Sequence, residues 1–449
     1  MPSLDSHQFG AASRFRLVYW SLVIGLVSGM PAIVLAQHST YYSNPSGEVT
    51  PGYPDSLVAE IPQETPVIWE PRIQLDTLTT GHMFDFQNRQ SDKQLAIIES
   101  QSDSDTFPRL IVGGQLRASA MAATTNTANK FAYLGRFPPD FVGTSATDAR
   151  LLQANAGVIL HAAPGVSGYL ELLFSDVFSF PTFNQGSLQM RQAYLVLGDF
   201  EVTPFYAFIG KKNVTFGDFR TLSPFTQAVP WHYFAPLAEG IGGGYSDGGW
   251  NLTVMALNGS RGIRVADSES KGTLNNFSAN GSYTLSLDAD TDFIVGAGYL
   301  HGTIYDSTVA EHINPAITGE RNGAWDVNGR IRMGNAYASG EYVQTINDWP
   351  VVSAPVQAYK TELGLDLPGM PVPTFVSASW SQGIQGDSGT TFRSNSQLVL
   401  GTQFKIHENV QLSFEYIRSL GFAPLLNITT VSDPDVIQNT YLLGLVVKI

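Results

Sequence analysis

Charged and polar side chains alternate with apolar ones along several segments in the second half of this 449-residue sequence. After Asn322, for example, Asp326 and Arg330 fall on one parity, and Trp325 and Val327 fall on the other. Successive side chains of an extended backbone point to opposite faces, so each such segment has one polar and one apolar face. The polar series comprises Asp326, Arg330, Arg332, Glu341, Lys360, Glu362, Asp366, Gln403, Lys405 and Glu415. Around an aqueous pore, charges of both signs select solutes by charge and dipole.

A second group of cationic and aromatic side chains lies within or just before the long segment 214–237. It comprises Lys211, Lys212, Arg220, Trp231 and His232. If this segment is a loop that narrows a pore, its cations would attract an anionic ligand. Alternatively, its aromatic side chains cover an apolar core between the loop and the wall.

Catalytic, metal and nucleic-acid sites are not indicated. The sequence has neither a Gly-x-Ser-x-Gly elbow nor a His-Glu-x-x-His motif, its eight histidines are dispersed, and it has no cysteine. We therefore expect a protein that is not an enzyme and that carries no cofactor or metal. The net charge of -14 and the lack of a Lys/Arg-rich run argue against a nucleic-acid partner.

The elements that position the polar series are predicted β-strands. Period-2 alternation recurs from Arg109 to the C-terminus in segments of about 10–14 residues. We predict strands at approximately 109–121, 149–163, 167–176, 189–199, 203–213, 238–247, 250–258, 276–288, 291–305, 322–334, 335–346, 356–367, 373–382, 395–406, 409–418 and 438–449. The total of about sixteen is even, as in bacterial single-chain membrane barrels.

The links between these strands alternate in length. Seven short turns, such as Gly334-Asn335, separate eight long loops, such as 214–237. A barrel with both ends in the periplasm has this layout, whereas a soluble sandwich with a solvated polar face gives no reason for it. The sequence therefore predicts an all-β fold, a transmembrane antiparallel β-barrel of about 16 strands over 109–449. Its apolar face would contact outer-membrane lipid and its polar face would line the lumen, where charges also pair for stability.

Residues before the barrel divide into two predicted parts. Arg14 and Arg16 precede an apolar run and Ala36 ends a cleavage-like site, so residues 1–36 are predicted to be a signal peptide. The alternative is an N-terminal membrane anchor. Residues 37–108 are rich in proline and are predicted to be a short, irregular periplasmic extension, with one possible helix at Asp92–Gln101. A plug or a partner-binding segment is the alternative for this range.

One stretch resembles a known family. The sequence RQAYLVLGDFEVTPFYAFIGKKNVTFGDF, followed by PFTQAVPWHYFAPLAEGIGGGY, resembles the LbtU-type siderophore porins of Gram-negative bacteria. The resemblance implies an outer-membrane barrel that takes up ferric siderophore without the usual energy-coupling motif. Members often begin with a heptad-rich coiled coil, which residues 37–108 lack. In sixteen-stranded porins at large, the third long loop often folds inward, and here that loop is 214–237.

The combined prediction is an outer-membrane, porin-like channel for a small polar solute, with ferric siderophore as the first candidate. Two alternatives remain open at this point: a general diffusion porin without a specific ligand, and a surface or adhesin barrel that transports nothing. A homo-oligomer is also possible.

Overall fold

The computed structural model describes residues 72–101, 107–131, 142–175, 187–259, 273–306, 321–387, 393–423 and 433–449. The predicted signal peptide lies outside these residues, as does the first half of the predicted extension. Within the described ranges, no helix combines the length and the apolar character needed to cross a membrane.

Sixteen antiparallel strands form a closed barrel, as the alternation predicts. A short strand, β1, precedes them at Arg72–Leu75. The barrel strands are β2 Arg109–Thr125, β3 Ser145–Ala163, β4 Val166–Ser175, β5 Ser187–Gly198, β6 Phe205–Asn213, β7 Leu237–Asp247, β8 Trp250–Asn258, β9 Leu274–Ser286, β10 Thr291–Leu300, β11 Ala324–Met333, β12 Ala336–Thr345, β13 Gln357–Leu367, β14 Thr374–Ile384, β15 Ser394–His407, β16 Val410–Ala423 and β17 Asp433–Lys448.

Consecutive barrel strands are hydrogen-bonded to each other, and the ring closes where β17 pairs with β2. Tight turns lie at one end of the barrel. Between β7 and β8, Gly248 and Gly249 have φ values of 56° and 84°. This left-handed conformation suits a two-residue hairpin turn and favours glycine.

Burial in the barrel is inverted relative to a soluble protein. Leu363 and Leu443 point outward and are 63% and 50% exposed, whereas Glu362 and Glu415 point inward and are 1% and 0% exposed. An apolar outer belt with a polar interior is the arrangement that a lipid bilayer requires of a barrel. The predicted assignment of faces for β11, β13, β15 and β16 agrees with this pattern.

Three short helices complete the described structure. Helix α1 spans Thr77–Phe84, α2 spans Lys93–Glu99 and α3 spans Val229–Phe234. The side chain of Asp76 caps α1 by accepting hydrogen bonds from the backbone N–H groups of Leu78 and Thr79 at 2.9 and 3.1 Å. Helix α2 falls within the range of the predicted helix Asp92–Gln101.

Strand β1 leads the chain to the mouth of the barrel beside the C-terminus. It pairs in parallel with β2, from Arg72 opposite Arg109 to Leu75 opposite Val112. Strand β17 pairs with β2 only as far as Gln115, so β1 covers the edge of β2 that β17 leaves open. From this seam the chain continues into α1.

Candidate functional site

The long loop 214–236, here called the inner loop, crosses the lumen from β6 to the far side of the ring. At its base, the N–H of Val214 donates to the carbonyl of Pro236 at 3.0 Å. Its middle contacts inward-facing side chains of β11, β12, β13 and β16. Because a buried irregular loop must satisfy its backbone donors, it needs acceptors on the wall.

Wall carboxylates supply these acceptors at the first half of the inner loop. Asp326 accepts a hydrogen bond from the N–H of Gly217 at 3.1 Å. Glu341 accepts from the N–H groups of Asp218 and Phe219 at 2.8 and 3.2 Å. These carboxylates therefore fasten the loop rather than face open water.

A buried lysine continues this set on β13. The Nζ of Lys360 lies 3.3 Å from Glu341 and 3.7 Å from Glu362, and it also donates to the carbonyl of Arg220. Glu362 in turn accepts from Oγ1 of Thr221 at 2.9 Å. Charge on the wall is thus compensated within the wall and by the loop.

Glu415 on β16 fastens the second half of the loop. It accepts hydrogen bonds from the N–H of Phe225 at 3.1 Å and from Oγ1 of Thr226 at 2.6 Å, and Oγ of Ser223 also donates to it. Four wall carboxylates, from Asp326 to Glu415, therefore bind the loop along its length.

Inward-facing glycines make room for aromatic rings of the loop. A Cβ at Gly444 would lie 2.3 Å from Cε2 of Phe225, and a Cβ at Gly383 would lie 2.2 Å from Cε2 of Tyr233. Such distances are too short for any side chain, so glycine is required under these rings. Hydrogen bonds to wall carboxylates therefore hold the loop, and its aromatic rings pack over wall glycines. These aromatic side chains also form a core between the loop and the wall.

The N-terminal segment 76–101 also lies inside the barrel. Gln94 hydrogen-bonds to Tyr206 on β6, Arg89 to Asn328 on β11 and Gln87 to Gln403 on β15. In addition, Asp85 accepts a hydrogen bond from Arg117 on β2. Only a segment within the ring can contact strands on so many sides. It belongs to the same compact unit as the barrel, Ile68–Ile449.

A buried carboxylate anchors this segment to the wall. Asp85 accepts from Gln115 at 2.8 Å, from Arg117 at 3.0 Å and from Lys448 at 2.7 Å. Burial alone would raise the pKa of Asp85, but the two cations hold that pKa below its usual value. Asp85 therefore stays ionised and paired at neutral pH.

The segment and the inner loop also contact each other. The N–H of Gln90 donates to the carbonyl of Asp218 at 3.2 Å, and the N–H of Thr221 donates to the carbonyl of Phe86 at 3.1 Å. The rings of Phe86 and Trp231 lie 6.2 Å apart between centroids. Together the two elements bridge the lumen.

The other charged wall residues of the predicted set are less enclosed. Arg330 is partly exposed and pairs with Asp292 at 3.0 Å, and Arg332 lies 5.8 Å from the ring centre of Tyr337. Asp366 is half-buried on β13, and Lys405 is exposed near the turn between β15 and β16. Gln403 donates to the carbonyl of Leu222 at 2.7 Å.

The predicted constriction residues divide between β6 and the inner loop, which includes α3. Lys211 and Lys212 lie on β6 and not in the loop. Lys211 has the outward parity, whereas Lys212 points inward and lies 4.6 Å from the ring centre of Phe208. Arg220 is in the loop and pairs with Asp218 at 2.7 Å, and α3 carries Trp231 and His232 side by side, 5.0 Å between ring centres.

Sequence reasoning missed Asp85, Arg89 and the inner residues of β2 that bind this segment. A usable signal was present, because Asp76 followed by Thr77 is a strong N-terminal cap and marks a helix start. Gln115 and Arg117 also share the inward parity of β2. Among the described residues, no group of three or more acidic, His or Cys side chains could hold a metal ion.

Comparison with known proteins shows the fold. No protein-family model matches this sequence, and no curated protein matches it significantly. The solved structures similar to it include the outer membrane channel DcaP of Acinetobacter baumannii, with 12% identity and a TM-score of 0.54 over 77% of this chain and 99% of that one. Pseudomonas putida OprB has 10% identity and a TM-score of 0.52 over 75% and 94%.

A third similar structure is Salmonella typhi OmpF in complex with daunomycin, with 13% identity and a TM-score of 0.51 over 76% of this chain and 97% of that one. At these identities the likeness extends to the fold and does not single out the siderophore porins. The closed barrel, its apolar outer belt and these likenesses together support an outer-membrane location. The chain therefore has the fold of the outer-membrane porins, with an inner loop and an N-terminal segment inside its lumen.

Proposed function

We propose that this protein is a porin-like channel that passes a small polar solute, preferentially one with negative charge. The observation that carries the proposal is the inner loop, which crosses the lumen and binds four acidic side chains of the wall. Asp326, Glu341, Glu362 and Glu415 are each at most 4% exposed, so they are withdrawn from contact with a passing solute.

The wall charges that stay accessible are positive on balance. Among the described residues that point inward, Arg330 and Arg332 are half-buried and Lys405 is exposed, whereas the acidic side chains near them are Asp292 and Asp366. Asp148 and Arg150 on β3 are also partly exposed but pair with each other, so in this group three positive charges face two negative ones. A lumen lined by low-dielectric walls focuses such a field, and the field favours anions over cations even though the whole chain has a net charge of -14.

Ferric siderophore is the first candidate solute, on the resemblance of the β5–β6 hairpin and the inner loop to siderophore porins. A general diffusion porin is the second candidate, favoured by the overall likeness to porins of several kinds. Because the inner loop and the segment 76–101 bridge the lumen, a bulky ligand would pass only if one of them moved. We also propose that the protein forms homo-oligomers, which light scattering of the detergent-solubilised protein would check.

Liposome swelling tests the channel proposal. Purified protein is reconstituted, and swelling rates are compared for a monosaccharide acid and a neutral monosaccharide of matching size. We expect swelling with both solutes and faster swelling with the acid. No swelling with either solute would contradict transport and favour the surface or adhesin alternative.

Titration with a ferric siderophore separates the two candidate functions. Binding is followed by the fluorescence of the tryptophans that follow the predicted signal peptide, such as Trp231 of the inner loop. Saturable binding would support a siderophore channel, whereas no saturable binding alongside normal swelling would favour a general diffusion porin.

A further inference from the structure

We infer that residues 76–101 are a built-in plug, which blocks the half of the lumen lined by β2–β6 and leaves solute a narrowed path beside the inner loop. This inference rests on the proposed channel function. The wall leaves room for side chains of this segment at two glycines. A Cβ at Gly113 would lie 2.7 Å from Cβ of Thr80, and a Cβ at Gly157 would lie 2.5 Å from Cζ of Phe84.

An apolar contact holds the plug on the side of β2–β6. Met83 of α1 and Ile97 and Ile98 of α2 are at most 2% exposed. They join a cluster with Ile111 on β2 and Ile159 on β3. Apolar side chains that point into a barrel lumen would otherwise contact water, so this cluster exists only with the plug in place.

Polar contacts complete the seat. Asp85 binds Arg117 and Lys448, as described above. The residues after α2 bind the end of the barrel that carries the tight turns. There Gln101 donates to Oγ of Ser167 at 2.8 Å and accepts from the N–H of Gly165 at 2.9 Å. The plug therefore enters through the end that carries the tight turns.

The opposite face of the plug is turned toward β9–β11. Its Arg89 side chain is only 10% exposed and donates to Asn280 on β9 at 3.2 Å and to Asn328 on β11 at 3.3 Å. The half-buried Arg330 and Arg332 lie farther along β11, on the same inward parity. These accessible cations therefore lie beside the plug's contacts on β11, outside the half of the lumen that the plug fills.

A full-length variant in which Gly/Ser residues replace 77–100 tests the inference. Single-channel conductance is compared with that of the wild type in planar bilayers, after checking that both migrate as folded barrels. We expect at least a twofold larger conductance without the plug, or channels that appear only in the variant. Equal conductance would overturn the plug while leaving the channel function standing, and no conductance from either protein would overturn the channel function itself.

Thiol labelling tests the seat with single substitutions that leave the rest of the plug in place. The chain has no cysteine, so a single introduced thiol reports its own site. Thr80 is 0% exposed and Leu78, on the same helix, is 84% exposed. We expect T80C to react with a water-soluble maleimide at least tenfold more slowly than the matched control L78C. Equal rates in the folded protein would show that the segment is not seated and would overturn the inference.

Discussion

Replacing Glu415 with alanine should release the second half of the inner loop. Three donors of the loop, on Ser223, Phe225 and Thr226, converge on this one carboxylate, which is 0% exposed. Hydrogen bonds to a charged group contribute roughly 1.5–3 kcal/mol each, and losses at one group are not additive. We therefore expect the docked state of this half to lose roughly 4 kcal/mol. At 1.4 kcal/mol per tenfold, its ratio to the released state falls by about a thousandfold.

Limited proteolysis of the folded barrel in detergent measures this release directly. We expect E415A to be cleaved within 214–236 much faster than the wild type, while the barrel strands stay protected because their hydrogen bonds are unchanged. Single-channel currents of E415A should also fluctuate more. The matched control is E408A, which removes an exposed carboxylate from the turn before the same strand. If E415A and E408A show the same cleavage rate and the same current noise, the wall carboxylate does not hold the loop.

Three further perturbations have defined outcomes. G444V should displace the ring of Phe225 and lower the thermal stability of the loop region, measured by protease protection on heating. G168V is the control for it, because a Cβ there would contact only a flexible leucine side chain at 3.3 Å. Burial lowers the pKa of Lys93 to about 7, below its unfolded value of about 10.4. The unfolded state then binds more protons between these values, so the free energy of unfolding should rise from about pH 7 to about pH 10, and K93M should flatten this rise in urea titrations. D76A should remove the N-terminal cap of α1, lower the stability of that helix by about 1 kcal/mol and speed amide exchange in its first turn. D76N should retain most of the protection from exchange.

The barrel was predictable because lipid imposes a strict rule on every strand. The outer face must be apolar, so parity alone places Leu363 outside and Glu362 inside. The predicted segment 356–367 accordingly matches β13 at Gln357–Leu367, and the predicted segment 203–213 matches β6 at Phe205–Asn213. The links between strands could also be sorted into short and long ones, because the tight turns lie at one end of the barrel and the long loops at the other.

What the lumen contains was not predictable from parity. Alternation assigns Glu341 and Glu415 to the inner face, but it does not say that they bind a loop that lies more than a hundred residues away in sequence. The segment 76–101 follows no barrel rule, because its partners are polar groups scattered over many strands. Among the predicted constriction residues, Lys211 is the one that faces away from the lumen. Lys212 points inward, and Lys211, one residue earlier on the same strand, therefore points outward.

The reversal potential of the reconstituted channel under a KCl gradient tests the central claim most directly. The wild type should prefer chloride, because Arg330 and Arg332 are accessible while the wall carboxylates are bound to the inner loop. The double variant R330A/R332A should lose this preference or reverse it. A wild-type channel that prefers potassium, or a double variant with unchanged selectivity, would contradict the account.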